Sequence, residues 1–343
     1  MGIICQGGSS LENPIWLKEE IILNEADVDF HITDIRRLGQ KGIVLGALMD
    51  DSVYFYSFET QKVSLLTRKG QGPGEINGGY GRIDIFNNEI YIRATDFVVS
   101  SFNENGFLRI KYNPPFSGKK GNSTIYPHSW VPGDNSQIAY GAYTTFDKHD
   151  EPYSLAVLKN NSGIWHFEGP VSIEDLPAGT GQEHARFRRD YAGEIRLIQA
   201  YTPGFFYRIP LILSREIEVR DQNGQLVRTI MSPNPAAKAI PVDLEDKVDF
   251  YSNMDGNQPF FLLWSPARDG AGNLHVMLPK YSVHIDGKKE KRNYQYIFSY
   301  SEQGVQLKVC RSRINVKQIA PSFDGKSYYA IDIHGNVGHL TPE

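Results

Sequence analysis

Between Gly81 and Tyr112 the chain reads GRIDIFNNEIYIRATDFVVSSFNENGFLRIKY, a pattern that few folds can accommodate. Strand-length runs of apolar and β-branched residues cover Arg82 to Phe86, Glu89 to Ala94, Val98 to Phe102 and Phe107 to Tyr112. Asn87-Asn88, Thr95-Asp96 and Asn-Glu-Asn-Gly separate them. Asn and Gly tolerate the positive φ angles that tight hairpins require, so the segment predicts four short consecutive antiparallel strands.

The unit recurs, which decides the architecture. SREIEVRDQNGQLVRTIM (Ser214 to Met231) and NYQYIFSYSEQGVQLKVC (Asn293 to Cys310) repeat its last hairpin, with QNG and EQG in place of ENG. Upstream, FHITDIRRLG and IVLGALMDDSVYFYSFETQKVSLLTRKG supply four strands. IYPHSWV, QIAYGAY, YSLAVLK and IWHFEG supply another set around residues 125 to 169. The final stretch, VKQIAPSFDGKSYYAIDIHGNVGHL, yields only three, while WLKEEIIL (Trp16 to Leu23) stands unassigned at the other end. Five four-stranded sets and a three-stranded remainder match six blades of a β-propeller, and the N-terminal strand can complete the last one. Such closure leaves no open sheet edge. The expected fold is therefore all-β: a six-bladed β-propeller of four-stranded antiparallel blades, with the Val316 to Leu340 blade closed 3+1 by Trp16 to Leu23. Residues 1–14 would form a tether and 15–343 a single domain.

Composition agrees and excludes some partners. Tyr 19, Phe 18 and Gly 32 suit pleated surfaces joined by tight turns. Acidic and basic residues are interspersed at a net charge of -4, so the basic field that drives nucleic-acid binding is missing. The longest apolar runs, such as FFLLW at 260 to 264, fall far short of the roughly 20 residues of a membrane span. Membrane contact is expected only through an N-terminal lipid anchor. Of the two cysteines, Cys310 in VQLKVCRS reads as a small buried hydrophobe. Cys5 in MGIICQGGSS follows two isoleucines and precedes a Gly/Ser tether, as at a bacterial lipoprotein signal, which makes Cys5 the candidate for lipidation. The other reading is an ordinary chain terminus.

RKGQGPGEI (Arg68 to Ile76) follows the first predicted blade. Glu75 occupies the third glycine position of G-x-G-x-x-G, no Lys-Ser/Thr follows and no helix begins there, so a phosphate loop is disfavoured. A structural corner is expected instead. Gly70, Gly72 and Gly74 would permit positive φ, Pro73 would stiffen the loop and Glu75 would accept hydrogen bonds from loop amides. The near-terminal cysteine, the six blade-like units and KGQGPGE together resemble the six-bladed β-propeller lipoproteins of Bacteroides-like bacteria, with more distant similarity to NHL and TolB propellers. The resemblance implies the fold and a cell-envelope location, periplasmic or at the outer membrane, without a settled activity.

Two segments carry ligand-binding chemistry. TGQEHARFRRDYAGE brings Arg186, Arg188, Arg189 and Tyr191 together, guanidinium forks beside a ring, as an anionic or sugar-like ligand would require. A solvated loop with local ion pairs is its other reading. YPHSWVPGD offers His128 and Trp130, suited to carbohydrate stacking or to a core. Both lead into first strands of successive blades, which places the expected site on the face carrying the connections between blades. NNSGIW reads as a hairpin turn, and DGAGN (Asp269 to Asn273) has calcium-loop character with too few acids. The nine histidines form no H-E-x-x-H, and Cys-x-x-Cys, EF-hand and G-x-S-x-G motifs are lacking. No cofactor, metal or catalytic residue is implied. The sequence therefore points to a binding or scaffold protein recognising a glycan, peptide or protein. The alternative is a hydrolase, lactonase or lyase with an axial pocket, favoured by a pocket holding a metal or a buried titrating pair.

Overall fold

The computed structural model describes residues 14–23, 31–94, 98–112, 125–132, 138–145, 155–161, 164–172, 195–200, 202, 204–210, 216–221, 223–231, 264–278, 282–285, 288–291, 295–332 and 334–343. Every regular element among them is a strand. In chain order these are β1 (Ile15–Leu23); β2 (Ile32–Leu38), β3 (Gly42–Ala47), β4 (Ser52–Ser57) and β5 (Val63–Arg68); β6 (Tyr80–Phe86), β7 (Glu89–Ala94), β8 (Val99–Phe102) and β9 (Leu108–Tyr112). Then come β10 (Ile125–Pro132), β11 (Ile138–Thr145), β12 (Leu155–Asn161) and β13 (Ile164–Ser172), followed by β14 (Ile195–Gln199), β15 (Phe205–Pro210), β16 (Glu216–Asp221) and β17 (Leu226–Met231). The last are β18 (Trp264–Arg268), β19 (Leu274–Leu278), β20 (Ser282–Ile285), β21 (Lys288–Lys291), β22 (Gln295–Tyr300), β23 (Gln306–Ser312), β24 (Val316–Pro321), β25 (Tyr328–Asp332) and β26 (Val337–Pro342).

Strands β2–β5, β6–β9, β10–β13 and β14–β17 each form a four-stranded sheet in sequence order, the meander from which propeller blades are built. The chain divides into two compact units. One comprises Met1–Pro114, Trp264–Met277 and Tyr294–Glu343, and the other Pro115–Leu263 and Leu278–Asn293.

In the first unit β1 lies antiparallel to β26, with Leu17 opposite Pro342 and Leu23 opposite Val337. It also runs parallel to β23, pairing Ile15, Trp16 and Leu17 with Cys310, Arg311 and Ser312. This second pairing, unforeseen in the sequence, merges two four-stranded groups into one eight-stranded sheet of order β18-β19-β22-β23-β1-β26-β25-β24. In the chain between β19 and β22 comes a further hairpin, β20–β21, which belongs to the second unit.

One turn is used repeatedly. Asn103, Asp221, Asp269, Ser301 and Asp332 each begin a loop whose fourth residue is a glycine with φ between 75° and 88°. In every case the first residue's side-chain oxygen accepts the backbone N–H four positions on. The short polar side chain replaces a ladder bond, and glycine supplies the left-handed step. The ENG, QNG and EQG signals are three of these five.

Apolar side chains tie neighbouring sheets of the first unit. Leu38, Val44 and Val53 pack with Ile83, Ile90, Ile92 and Phe102. Ile32, Ile35 and Ile43 pack with Ala320, Ile331 and Val337. Within the eight-stranded sheet, Met277, Ile297 and Cys310 of one half pack with Leu17, Ile319 and Leu340 of the other. Strand β3 is buried at all six positions because both of its faces are covered, which is why GIVLGA lacks polar alternation. Each fully buried Val, Leu, Ile, Phe or Met among them contributes roughly 1.5–3 kcal/mol.

Candidate functional site

Strands β2, β6, β18 and β24 each stand at the edge of a sheet, and their unpaired backbone groups need partners from elsewhere. They come from a neighbouring edge strand. Ser265 Oγ on β18 accepts from Ile319 N on β24 at 2.8 Å and lies 3.1 Å from Ile319 O. Gln318 Oε1 on β24 accepts from Ile35 N on β2 at 3.1 Å, and Asp34 Oδ2 on β2 accepts from Ile83 N on β6 at 3.2 Å. Arg36 reinforces the row: its Nη1 lies 2.8 Å from Asp34 Oδ1, and its Nε donates to Ile83 O at 3.1 Å. The residue carrying the acceptor immediately precedes the isoleucine at both 34–35 and 318–319, so one register repeats. These polar side chains staple adjacent strands and line the free edges with an Asp–Arg pair and an amide.

The most catalytic-looking constellation lies deeper. His275 on β19 has Nε2 3.1 Å from Asp269 Oδ2 and Nδ1 2.8 Å from Ser299 Oγ on β22, with Tyr328 Oη on β25 3.2 Å from Nδ1. With Asp269 as acceptor, Nε2 carries the proton, and Nδ1 accepts from a hydroxyl. Burial lowers the His275 pKa from its ordinary value, despite the opposing pull of Asp269, and so keeps the imidazole neutral. Burial also works against the Asp269 charge, but hydrogen bonds from His275 and Asn273 hold its carboxyl below the usual range. The Asp269 Oδ1 atom is taken by the amides of Ala271 and Asn273. Cys310, buried as the sequence suggests, has its Sγ 3.9 Å from Tyr328 Oη, and burial raises its pKa. A serine, histidine and aspartate in this order resemble a hydrolase triad, but Ser299 and His275 are each 1% exposed and Asp269 3%. The Ser299 hydroxyl is instead engaged within the interior, 2.8 Å from His275 Nδ1 and 3.3 Å from Tyr328 Oη.

The RKGQGPGEI loop encloses its own carboxylate. Glu75 Oε2 accepts from Gly72 N at 2.8 Å, and Glu75 Oε1 accepts from Arg68 Nε at 3.0 Å. These bonds hold the Glu75 pKa below its ordinary value. Positive φ occurs at Gly74 (80°) but not at Gly70 or Gly72. Those two are glycines for a different reason: a Cβ on Gly70 would collide with the Glu75 carboxylate, and one on Gly72 would lie 3.0 Å from it. The Gly72 amide, which a phosphate loop would offer to an anion, is taken by the loop's own carboxylate. Ile76 N and Gly70 N bond back to Arg68 O and Ile76 O, and buried Ile76 anchors the loop to the core.

Of the sequence-nominated ligand residues, Arg186, Arg188, Arg189 and Tyr191 lie outside the described residues, as does Cys5. His128 and Trp130 belong to β10, where Trp130 pairs with Gly141 and the register shifts between Pro127 and Ser129. Asp269, His275, Ser299 and Tyr328 were not anticipated as a group. The available signal was limited to the Asp269 turn, since the four come together only through sheet pairing.

No protein-family model matches this sequence, and no curated protein matches it at a significant level. Solved structures do. The chain is similar to a protein from Bacteroides fragilis NCTC 9343 named as a presumed exported protein, with a TM-score of 0.54, 11% identity and 94% of each chain covered. It is similar to a protein of unknown function from Bacteroides thetaiotaomicron VPI-5482, with a TM-score of 0.51 and 11% identity over 92% of this chain and 70% of that one. It is also similar to a gluconolactonase from Xanthomonas campestris, with a TM-score of 0.51 and 10% identity over 95% and 90% of the two chains. At these identities the likeness is one of fold, and with the successive four-stranded meanders it makes this an all-β protein of β-propeller type.

Proposed function

We propose that the chain is a six-bladed β-propeller, closed 3+1 by β1 into a single domain, that serves at the cell envelope as a binding or scaffold protein for a glycan, peptide or protein. The observation that carries the preference for binding over catalysis is the sealing of the Ser299–His275–Asp269 constellation. A group arranged for acyl chemistry is wholly engaged in cementing the interior. Recognition is assigned to the face carrying the connections between blades, with Arg186, Arg188, Arg189 and Tyr191 near His128 and Trp130. Guanidinium forks orient acidic or hydroxyl-rich groups there while rings cover apolar faces, each contact supplying about 1 kcal/mol. Envelope tethering is assigned to a lipid on Cys5.

The test is a glycan and peptide array probed with the full chain and with an Arg186→Ala/Arg188→Ala double variant. Specific binding lost in the variant is expected; binding that persists removes these residues from the site. Turnover of a lactone or ester that disappears in Asp34→Asn, on the free-edge row, would overturn the binding assignment in favour of an enzyme.

A further inference from the structure

Asparagine followed by glycine carries a reaction of its own, and the chain contains the pair three times: Asn77-Gly78, Asn105-Gly106 and Asn223-Gly224. All three asparagines are exposed, and the glycines all have positive φ, 80°, 75° and 75° in chain order. What separates the pairs is the glycine N–H. In the turn between β8 and β9, Gly106 N donates to Asn103 O at 3.0 Å, and between β16 and β17 Gly224 N donates to Asp221 O at 2.8 Å. The asparagines of these turns are held as well, Asn105 N by Asn103 Oδ1 at 3.0 Å and Asn223 N by Asp221 Oδ1 at 2.8 Å. Asn77-Gly78 lies instead in the connection from β5 to β6, just after the loop that closes on Glu75. Among the described residues, neither Asn77 N nor Gly78 N has a hydrogen-bond acceptor, and the Asn77 side-chain amide has no partner.

We propose that Asn77 is a site of spontaneous deamidation, selected by the fold from three pairs that sequence alone makes equivalent. Gly78 N gives its proton to solvent base and attacks Asn77 Cγ; the bond from Cγ to the side-chain nitrogen breaks, and that nitrogen leaves as ammonia. Water then opens the five-membered imide at either carbonyl and leaves an aspartate or an isoaspartate at position 77. One water is consumed and one ammonia released, with no oxidant or cofactor. The glycine nitrogen must turn toward Cγ and shed its proton. At Gly106 and Gly224 a hydrogen bond opposes both steps and has to break first, whereas at Gly78 none does. Either product places a new carboxylate in a connection between successive sheets, and isoaspartate adds a backbone carbon between Ile76 and Tyr80, which are 2% and 3% exposed. The site does not depend on the binding assignment above.

The full chain is incubated at neutral pH in water enriched in oxygen-18, which marks sites converted during the incubation, and the three Asn-Gly peptides are followed by mass spectrometry after digestion. Asn77 should convert about five- to tenfold faster than Asn105 or Asn223, the factor that one ordinary hydrogen bond is worth in a rate. In urea the three should convert at similar rates, because the protecting bonds are gone. Asn77→Gln should melt like the wild type, since the side chain is exposed and makes no bond, and should lose the fast phase of ammonia release. The proposal is overturned if Asn77 converts no faster than the other two in the folded chain, if the same factor persists in urea, or if the fast ammonia phase survives in Asn77→Gln.

Discussion

Replacing His275 with glutamine tests whether the sealed network is structural, and pH supplies the sharper readout. The folded protein holds His275 neutral, with its pKa lowered by burial, whereas the unfolded chain protonates it near pH 6.5. Below that value the unfolded state binds the extra proton, so the network's contribution is fully present above about pH 6.5 and falls as pH drops toward the folded pKa. One proton corresponds to about 1.4 kcal/mol per pH unit in that window. At pH 7.5 the glutamine variant should be less stable by about 1–3 kcal/mol, because Asp269, Ser299 and Tyr328 lose well-placed partners in a dry interior. The gap should narrow on acidification, since only the wild type bears the His275 titration. Burial also lowers the pKa of His339, but that effect is shared by both proteins and cancels in the difference. Urea denaturation followed by tryptophan fluorescence at pH 7.5, 6.5, 5.5 and 5.0 measures it. A stability gap that stays constant across this range would refute the buried, neutral imidazole.

Deleting residues 1–23 should lower the melting temperature of the whole chain and promote association, since β23 and β26 lose their shared neighbour; unchanged melting would reject closure by β1. Asp34→Ala should cost about 1–3 kcal/mol in chemical denaturation by leaving Ile83 N–H without its acceptor and removing the carboxylate from Arg36, whose guanidinium keeps its bonds to Ile83 O, Ile35 O and Gln318 Oε1, with Asp34→Asn recovering part of the loss through its remaining acceptor. Gly74→Ala should cost about 1–2 kcal/mol because of its φ of 80°, and an equal cost for an alanine at Gln71 would show that the backbone angle is not responsible. Mass spectrometry of envelope-fractionated native protein should find Cys5 lipidated, and a soluble product with an unmodified Cys5 would exclude the anchor.

What could be read from the sequence was local, and the repeated turn explains why. Asn103, Asp221 and Ser301 sit three residues before a glycine that must adopt positive φ, so ENG, QNG and EQG marked hairpins without reference to the rest of the chain. WLKEEIIL was likewise legible as a strand, and it forms β1, antiparallel to β26. Its parallel pairing with β23 left no trace, because a strand that buries only Leu17 and Leu23 carries little pattern to specify which second edge it meets. The inserted β20–β21 hairpin had a turn signal in Ile-Asp-Gly-Lys, but KKEK has neither alternation nor β-propensity to identify its second strand. Glu75 reversed the meaning of the glycines around it: Gly70 and Gly72 make room for a carboxylate from their own loop, a purpose that composition cannot distinguish from backbone freedom. The same limit applies to chemistry. Asp269 and His275 are near neighbours in the chain, but Ser299 and Tyr328 reach them only across β22 and β25. In a fold of successive meanders, side chains on strands far apart in the chain become neighbours through register, and a polar constellation can therefore be complete without any linear motif.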